Sequence, residues 1–208
     1  MIDQSTETAA VILAGGLSRR MGHKEKALLP FGTSTLIGHV VARAQSQVTD
    51  LVISANGDPG RFADLDLPVV PDPVEGFAGP LAGILAGLDW GHEASKCRWM
   101  VSLPSDTPFF PEDLVARLET AAKSEGTDFA CARSQGRMHP VVGLWPVSLR
   151  EALRDALVNQ GIRKIDEWTA HFSVAVVDFE TDPVDPFFNA NRPDDLEMAR
   201  RTLKTLSP

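Results

Sequence analysis

The chain has 208 residues, 43% of them hydrophobic, and carries a formal net charge of −8 with a pI near 5.1. This length and apolar content suffice for one substantial hydrophobic core, so we expect a single domain over residues 1–208. The acidic balance argues against a nucleic-acid-binding protein, because such proteins carry an excess of basic side chains that neutralises phosphates.

The sequence lacks the usual signals for export or membrane insertion. Residues 1–8 carry acids but no cations, and they lack the apolar run of a signal peptide. The apolar runs of the chain fall short of the ~20 residues that cross a bilayer. The two cysteines, Cys97 and Cys131, are too few for a disulfide framework and are not spaced as a metal knuckle. We therefore expect a cytoplasmic protein with reduced thiols and no membrane partner.

Strands and helices alternate through the first half of the chain. The predicted elements are a buried strand through Val11–Leu13, a helix from Leu36 capped by Ser34 or Thr35, strands Leu51–Ser54 and Leu67–Val70, a helix Pro80–Trp90 and a strand Arg98–Leu103. Such alternation predicts a three-layer, Rossmann-like α/β fold, with a mostly parallel central sheet and helices on both faces. A ligand site is then expected at the carboxyl ends of the strands.

The second half is less regular. Its predicted elements are a helix opening at Pro111, strands Asp128–Ala132 and His139–Trp145, a helix after a capping box of Ser148 and Glu151, a strand Phe172–Asp178 and a helix starting at Pro193.

A loop rich in glycine and cations follows the first strand. The adjacent Gly15 and Gly16 allow positive φ and let backbone N–H groups approach a ligand closely. Four cations that suit phosphate oxygens follow within eight residues, namely Arg19, Arg20, Lys24 and Lys26. This pattern predicts a polyphosphate site, the alternative being a solvated basic loop. Five residues separate Gly16 from Gly22 and a histidine follows, so the P-loop spacing is not met, nor is the dinucleotide pattern G-x-G-x-x-G.

Two acids follow predicted strands at the edge where this loop should lie. Asp72 follows the third strand and Asp106 the fourth, so both are expected beside the glycine loop. Magnesium commonly binds through one or two carboxylates plus substrate phosphates, which makes Asp106 a candidate metal ligand. Both acids also stand next to turn-forming prolines or serines, so each could be a simple turn residue.

Several motifs together resemble the molybdenum cofactor guanylyltransferase family, within the wider GT-A-like nucleotidyltransferases. They are Leu13-Ala-Gly-Gly16, Arg20-Met-Gly22, Lys26 and Leu103-Pro-Ser-Asp-Thr-Pro108. The resemblance runs from Val11 to about Leu203. It implies an enzyme that joins GMP from Mg-GTP to the phosphate of molybdopterin and releases pyrophosphate. Residues 9–110 would bind the nucleotide and residues 111–204 the acceptor.

The resemblance, read with the chemistry of each side chain, gives roles to individual residues. Arg20 and Lys26 would neutralise the triphosphate and the departing pyrophosphate, while Asp106 would bind Mg²⁺. The other expected GTP contacts are Leu13, Ala14, Gly15, Gly16, Asn56 and Asp72, with the segment Gly79–Gly83 nearby. A close-packed helix start would give the same letters in that segment.

The acceptor side carries a weaker signal. His139, Asn189 and Asn191 match family patterns there, although a strand histidine is often structural and an Asn before a Pro-led helix is often a cap. The sequence departs from relatives at Ser54, where they carry Asn, and at Arg192, where they often carry Thr. The first change puts a base contact at that position in doubt.

Two other functions remain open. Cytidylyl transfer, to molybdopterin or to a sugar or isoprenoid phosphate, would use the same loop and metal. In the family, Leu-Ala-Gly-Gly accompanies GTP and Leu-Ala-Ala-Gly accompanies CTP, so Gly15 and Gly16 favour GTP. A non-catalytic GTP sensor is the alternative of another class, and the presence of both Lys26 and Asp106 speaks against it. Other cofactor-biosynthesis or acceptor proteins are possible partners.

Overall fold

A seven-stranded sheet forms the centre of the computed structural model, which describes residues 8–15, 25–74 and 79–206. The strands are β1 (Thr8–Leu13), β2 (Pro30–Phe31), β3 (Ser34–Thr35), β4 (Leu51–Ser54), β5 (Val69–Val70), β6 (Trp99–Pro104), β7 (Phe129–Ser134), β8 (Arg137–Pro146) and β9 (Val174–Asp178). The helices are α1 (Leu36–Gln45), α2 (Pro80–Trp90), α3 (Leu114–Glu125), α4 (Arg150–Val158), α5 (Ile165–Thr169) and α6 (Pro193–Leu206). Strands β2 and β3 form a separate two-stranded ribbon.

The central sheet is mostly parallel, as the sequence predicts. Its spatial order is β5-β4-β1-β6-β8-β7-β9. The first four strands in this order run parallel, β8 is antiparallel to both β6 and β7, and β9 is parallel to β7. All the strands except β8 therefore end at one edge of the sheet, which we call the carboxyl edge.

Helices cover both faces of the sheet. Along β1, Ala10 and Ile12 point into a core beneath α1 and α3, whereas Ala9 and Val11 point into a core beneath α2, α4 and α5. Helix α6 packs with the β2–β3 ribbon in a third, smaller cluster. Because β1 is buried on both faces, it reads as a continuous apolar run rather than an alternating one.

Helix α2 lies unusually close to β1. A Cβ atom placed on Gly87 would lie 2.6 Å from Cβ of Val11, and one on Gly83 would lie 2.8 Å from Cδ2 of Leu13. Only glycine leaves room for this approach. The bounds of this helix are as predicted.

Several predicted boundaries are wrong, among them the starts of β8, at Arg137 rather than His139, and of β9, at Val174 rather than Phe172. Helix α3 begins at Leu114 rather than Pro111, after a turn in which Leu114 N–H donates to the Pro111 carbonyl over 3.2 Å. The capping box at Ser148 does not form, because Val147 N–H continues the sheet by bonding to the Arg98 carbonyl at 3.0 Å and α4 starts only at Arg150. Strand β5 comprises only Val69–Val70, and Pro68, with no N–H to donate, precedes it.

In the part of the chain that the structure describes, no helix is both long and apolar enough to span a membrane.

Candidate active site

Four candidate residues occupy equivalent positions at the carboxyl edge. Gly15, Asn56, Asp72 and Asp106 are each the second residue after the end of their strand, β1, β4, β5 and β6 respectively. Backbone hydrogen bonds extend the sheet into these loops, with Ala14 N–H donating to the Ser54 carbonyl at 2.9 Å. The parallel sheet therefore brings together residues that are up to 91 positions apart in the sequence.

Asn56 and Asp72 form a hydrogen-bonded pair. The Asn56 Nδ2 donates to Asp72 Oδ2 at 2.8 Å, and the Asp72 backbone N–H donates to Asn56 Oδ1 at 3.0 Å. The Ser54 hydroxyl also donates to Asp72 Oδ1, over 3.2 Å. A Cβ on Gly15 would lie 3.9 Å from Asp72 Oδ2, so the glycine backbone faces this carboxylate across a narrow gap. Ser54 thus helps to hold the Asp72 carboxylate in place.

Lys26 and Asp106 form an ion pair between Nζ and Oδ2. Their side chains are only 12% and 19% exposed, so the pair is partly shielded from water. The Lys26 ammonium also donates to Asn191 Oδ1 at 2.8 Å. Lys26 begins a short 3-10 turn, Lys26–Leu28. A proposed phosphate ligand, a proposed metal ligand and a candidate from the second half of the chain therefore meet at one point.

The segment 189–191 is fastened to the loop after β6. The buried Thr107 hydroxyl donates to Asn189 Oδ1 at 2.6 Å, and Ala190 N–H donates to the Asp106 carbonyl at 3.2 Å. The amide oxygen of Asn189 is therefore used to hold the segment in place. Asn191 is the residue of this segment whose side chain accepts a hydrogen bond from the Lys26 ammonium.

His139 lies in a different group, at the hairpin between β7 and β8. Its Nε2 is 2.8 Å from the Ser134 hydroxyl, which in turn donates to Asp185 Oδ1 at 2.9 Å. Since the hydroxyl has one hydrogen and gives it to Asp185, His139 must donate from Nε2. Burial lowers the pKa of His139, while the Asp185 charge opposes this shift and Arg137 adds to it. The ring also packs against Phe187, with centroids 4.9 Å apart.

Several of these contacts were not predicted from the sequence. Ser134 and Asp185 stand in no motif, Thr107 stands in a motif that gives it no role, and the contacts of these residues depend on pairings across 51 and 82 residues. Arg61 was also missed, although it ties two site loops together. Its Nη2 donates to the Asn56 carbonyl at 2.5 Å and its Nε lies 3.1 Å from Glu25 Oε1, next to Lys26.

Four residues of the predicted polyphosphate site, Gly16, Arg19, Arg20 and Lys24, lie outside the described residues.

The donor set fits a magnesium ion that is bound mainly by its substrate. Among residues 8–15, 25–74 and 79–206, no three His, Cys, Asp or Glu side chains cluster as a complete metal cage. Asp106 supplies one carboxylate beside an ammonium group that suits phosphates. Magnesium commonly takes one or two carboxylates, substrate phosphate oxygens and water, so Asp106 could hold it in this way.

Comparisons with known proteins identify the family of the chain. A family model described as MobA-like NTP transferase domain matches residues 10–174. The molybdenum cofactor guanylyltransferase of Rhodopseudomonas palustris strain HaA2 is 56% identical over 191 residues, covering 91% of this chain and 89% of the relative.

Two solved structures share the fold. Molybdopterin-guanine dinucleotide biosynthesis protein A from Archaeoglobus fulgidus matches with a TM-score of 0.74 and 23% identity, over 95% of this chain and 100% of its own. A Mycobacterium tuberculosis protein crystallised as a manganese complex matches with a TM-score of 0.69 and 18% identity, over 95% and 100%. At these identities the structures show the fold alone. The family match and the 56% identical relative show that the chain belongs to the MobA-like NTP transferases, among the molybdenum cofactor guanylyltransferases.

Proposed function

We propose that the chain transfers GMP from Mg-GTP to the phosphate of molybdenum-bound molybdopterin. The product is the guanine dinucleotide form of the cofactor, and pyrophosphate is released. The observation that carries this proposal is the meeting of Lys26, Asp106 and Asn191 at the carboxyl edge, directly after a glycine loop. The family of the chain supports the choice of guanosine and molybdopterin as the substrates.

The nucleotide would lie along the loops after β1, β4 and β5. Backbone groups of Leu13, Ala14 and Gly15 would contact it, and Gly16 would continue this cradle. The Asn56–Asp72 pair presents a fixed carboxylate across the gap from Gly15. A carboxylate accepts hydrogen bonds only, so it suits N–H groups of a base or hydroxyl groups of a ribose.

The reaction requires no nucleophile from the protein. An oxygen of the acceptor phosphate attacks the α-phosphorus of GTP, a new P–O bond forms, and the bond from the α-phosphorus to the bridging oxygen of the β-phosphate breaks. Negative charge moves to the departing pyrophosphate, where Lys26 and Arg20 would neutralise it. Positioning and charge neutralisation of this kind supply most of the catalysis in phosphoryl transfer.

Asp106 would hold the magnesium ion. The ion, when bound, neutralises phosphate charge and aligns the triphosphate. Asn191 would keep the Lys26 ammonium in place as this lysine exchanges its carboxylate partner for phosphate oxygens. The acceptor would approach from the half of the chain that carries His139, Asn189 and Asn191.

A direct assay tests the proposal. Purified protein is given molybdopterin, Mg²⁺ and either GTP or CTP, and pyrophosphate formation is followed. We expect release with GTP and little with CTP. Faster release with CTP would replace the proposal with cytidylyl transfer, and tight GTP binding without any pyrophosphate would indicate a nucleotide sensor.

A further inference from the structure

The Arg61 side chain bridges two loops of the candidate active site. Arg61 lies in a short 3-10 turn, Pro59–Leu65, between β4 and β5. Its Nη2 donates to the Asn56 carbonyl at 2.5 Å, and its Nε lies 3.1 Å from Glu25 Oε1. One guanidinium group therefore joins the segment that precedes Lys26 to the loop that follows β4.

Both partners of this guanidinium stand beside residues with proposed roles. Glu25 directly precedes Lys26, whose ammonium enters the ion pair at the carboxyl edge. Asn56 is hydrogen-bonded twice to Asp72. The bridge therefore links the lysine that is expected to bind phosphates to the pair that is expected to bind the base or the ribose.

The bridging group is partly withdrawn from water. The side chains of Arg61 and Glu25 are 28% and 27% exposed, and the Arg61 Nε atom is buried without an aligned hydrogen bond in the described part of the chain. The centroid of the buried Phe62 ring lies 4.9 Å from Arg61 Cζ, and a Cβ atom on Gly57 would lie 3.5 Å from Nη1. The Glu25 carboxylate therefore compensates a confined positive charge, and a change to either partner removes that compensation.

The turn that carries Arg61 has other contacts that hold it in place. It begins after Asp58, whose side chain accepts the Gly60 N–H at 2.9 Å. Phe62 is 1% exposed and belongs to the core beneath α1 and α3. The turn can therefore form without the pairing of Arg61 to Glu25, and this pairing chiefly fixes how the segment at Glu25 lies against the turn.

An arginine suits a bridge of this kind better than a lysine does. Its guanidinium carries its N–H donors in a rigid planar fork, so one group reaches a carbonyl and a carboxylate in fixed directions. A lysine ammonium is a point charge on a flexible stem and imposes no such geometry. Arg61 therefore fixes both the distance and the direction between its two partners.

We propose that Arg61 is a positioning residue for the transfer reaction. Through Glu25 it sets the position of Lys26 relative to the Asn56–Asp72 pair, so that a nucleotide held by this pair presents its phosphates to the ammonium. A misplacement of about 1 Å caused by a remote change can lower a rate by ~100-fold, so such alignment matters even from a residue outside the reacting groups. This inference rests on the proposed function for the identity of the nucleotide.

Binding of the whole nucleotide and of its two parts tests the alignment without any turnover. Glu25→Gln breaks the ion pair and leaves the contact of Arg61 with Asn56 in place. By isothermal titration we expect at least a ~10-fold weaker Kd for Mg-GTP, which must span both parts of the site. The Kd values for guanosine and for Mg-pyrophosphate should not change, because each needs only one part. An equal loss for either fragment would show that the bridge only supports one part of the site, and would overturn the positioning role.

Arg61→Met removes the guanidinium and keeps the apolar stem, and Arg154→Met is its matched control. Arg154 pairs with Asp89 between α4 and α2, where the two side chains are 34% and 20% exposed. We expect weaker Mg-GTP binding in Arg61→Met and wild-type binding in Arg154→Met. The double variant Arg61→Met/Glu25→Gln should bind Mg-GTP no more weakly than Arg61→Met, because both changes remove the same ion pair. Losses that simply add would contradict a shared role of the two residues.

The transfer assay separates this inference from the function on which it rests. Wild-type affinity for Mg-GTP in Glu25→Gln would overturn the inference even if GMP transfer is observed. A loss that is selective for Mg-GTP supports it even if the protein then fails to transfer GMP. No binding of Mg-GTP by the wild type would overturn both.

Discussion

Lys26 and Asp106 hold opposite charges together at a point where a triphosphate and a cation would have to enter. Both side chains are less than a fifth exposed, so each depends on a partner of opposite charge. A phosphate can replace the carboxylate beside Lys26, and a cation can replace the ammonium beside Asp106. Under the proposed function, each charge would therefore have a partner both before and after the substrates bind.

Asp106→Asn tests the metal role. The amide has almost the same shape and still accepts a hydrogen bond from Lys26, so the variant should fold, as circular dichroism would show. It lacks the negative charge that holds Mg²⁺, and we expect kcat to fall by at least ~100-fold. Glu112→Gln is the control, because it removes an exposed carboxylate six residues further along the chain. Unchanged Mg²⁺-dependent turnover in Asp106→Asn would remove the proposed ligand role.

Asn56→Ala tests the nucleotide role of the Asn56–Asp72 pair. Loss of both hydrogen bonds should release Asp72 from its fixed position and raise the KM for GTP by about tenfold, with a smaller effect on kcat. Asn159→Ala is a matched control, since Asn159 also donates from Nδ2 to an aspartate, Asp155, at 2.6 Å, and this pair is exposed at the end of α4. Equal KM values for GTP in the two variants would contradict the role of Asn56.

At the scale of elements, the sequence predicts the start of a helix well where the residue that caps or begins the helix is itself a strong signal. Helix α1 begins after Thr35, whose hydroxyl accepts the Gly38 N–H at 3.1 Å, and α2 begins at Pro80, both as predicted. Helix α5 was not predicted, because five residues carry too little periodic signal. It is held by packing instead, with Trp168 stacked on Trp145 at a centroid distance of 5.9 Å.

Gly87→Ala tests the close approach of α2 to β1. The new methyl group would lie 2.6 Å from Cβ of Val11, which is β-branched and cannot move aside. Overpacking costs about 1–3 kcal/mol, and the better helix propensity of alanine returns up to ~1 kcal/mol. We therefore expect a net loss of stability in chemical denaturation.

The double variant Val11→Ala/Gly87→Ala supplies the control for this clash. Removing the Val11 methyl groups relieves the contact, so the double variant should be more stable than the sum of the two single effects predicts. If the stability changes of the two single variants simply add in the double variant, the side chains at positions 87 and 11 do not clash.

At the scale of the molecule, the parallel half of the sheet made the positions of Asp72 and Asp106 predictable. Parallel strands bring their carboxyl ends together, so Asp72 and Asp106 could be placed beside the glycine loop from their positions alone. The positions of the residues expected to bind the acceptor could not be predicted in this way, because β8 runs antiparallel between β6 and β7. The partners of His139 are Ser134 on β7 and, beyond it, Asp185 on an irregular segment. Such pairings leave no periodic signal in the sequence.

The histidines predict how the stability of the whole molecule depends on pH. Burial lowers the pKa of both His139 and His39 from the ordinary value of 6.5, with Arg43 adding to the shift of His39. A histidine with a lowered pKa stays neutral in the folded protein, while the unfolded chain takes up a proton first as the pH falls. The free energy of unfolding should therefore be fully retained above about pH 6.5 and should decrease below it.

Urea unfolding at about pH 7.5 and about pH 5.5 measures this dependence. His139→Gln keeps an N–H donor for Ser134 but cannot be protonated, so its loss of stability between the two pH values should be smaller than that of the wild type. His39→Gln should reduce the loss as well, and the two effects should add because the residues lie in different clusters. His171→Gln, at an exposed histidine, is the control. If His139→Gln loses as much stability between the two pH values as the wild type does, the Ser134–Asp185 arrangement does not stabilise the neutral form of His139.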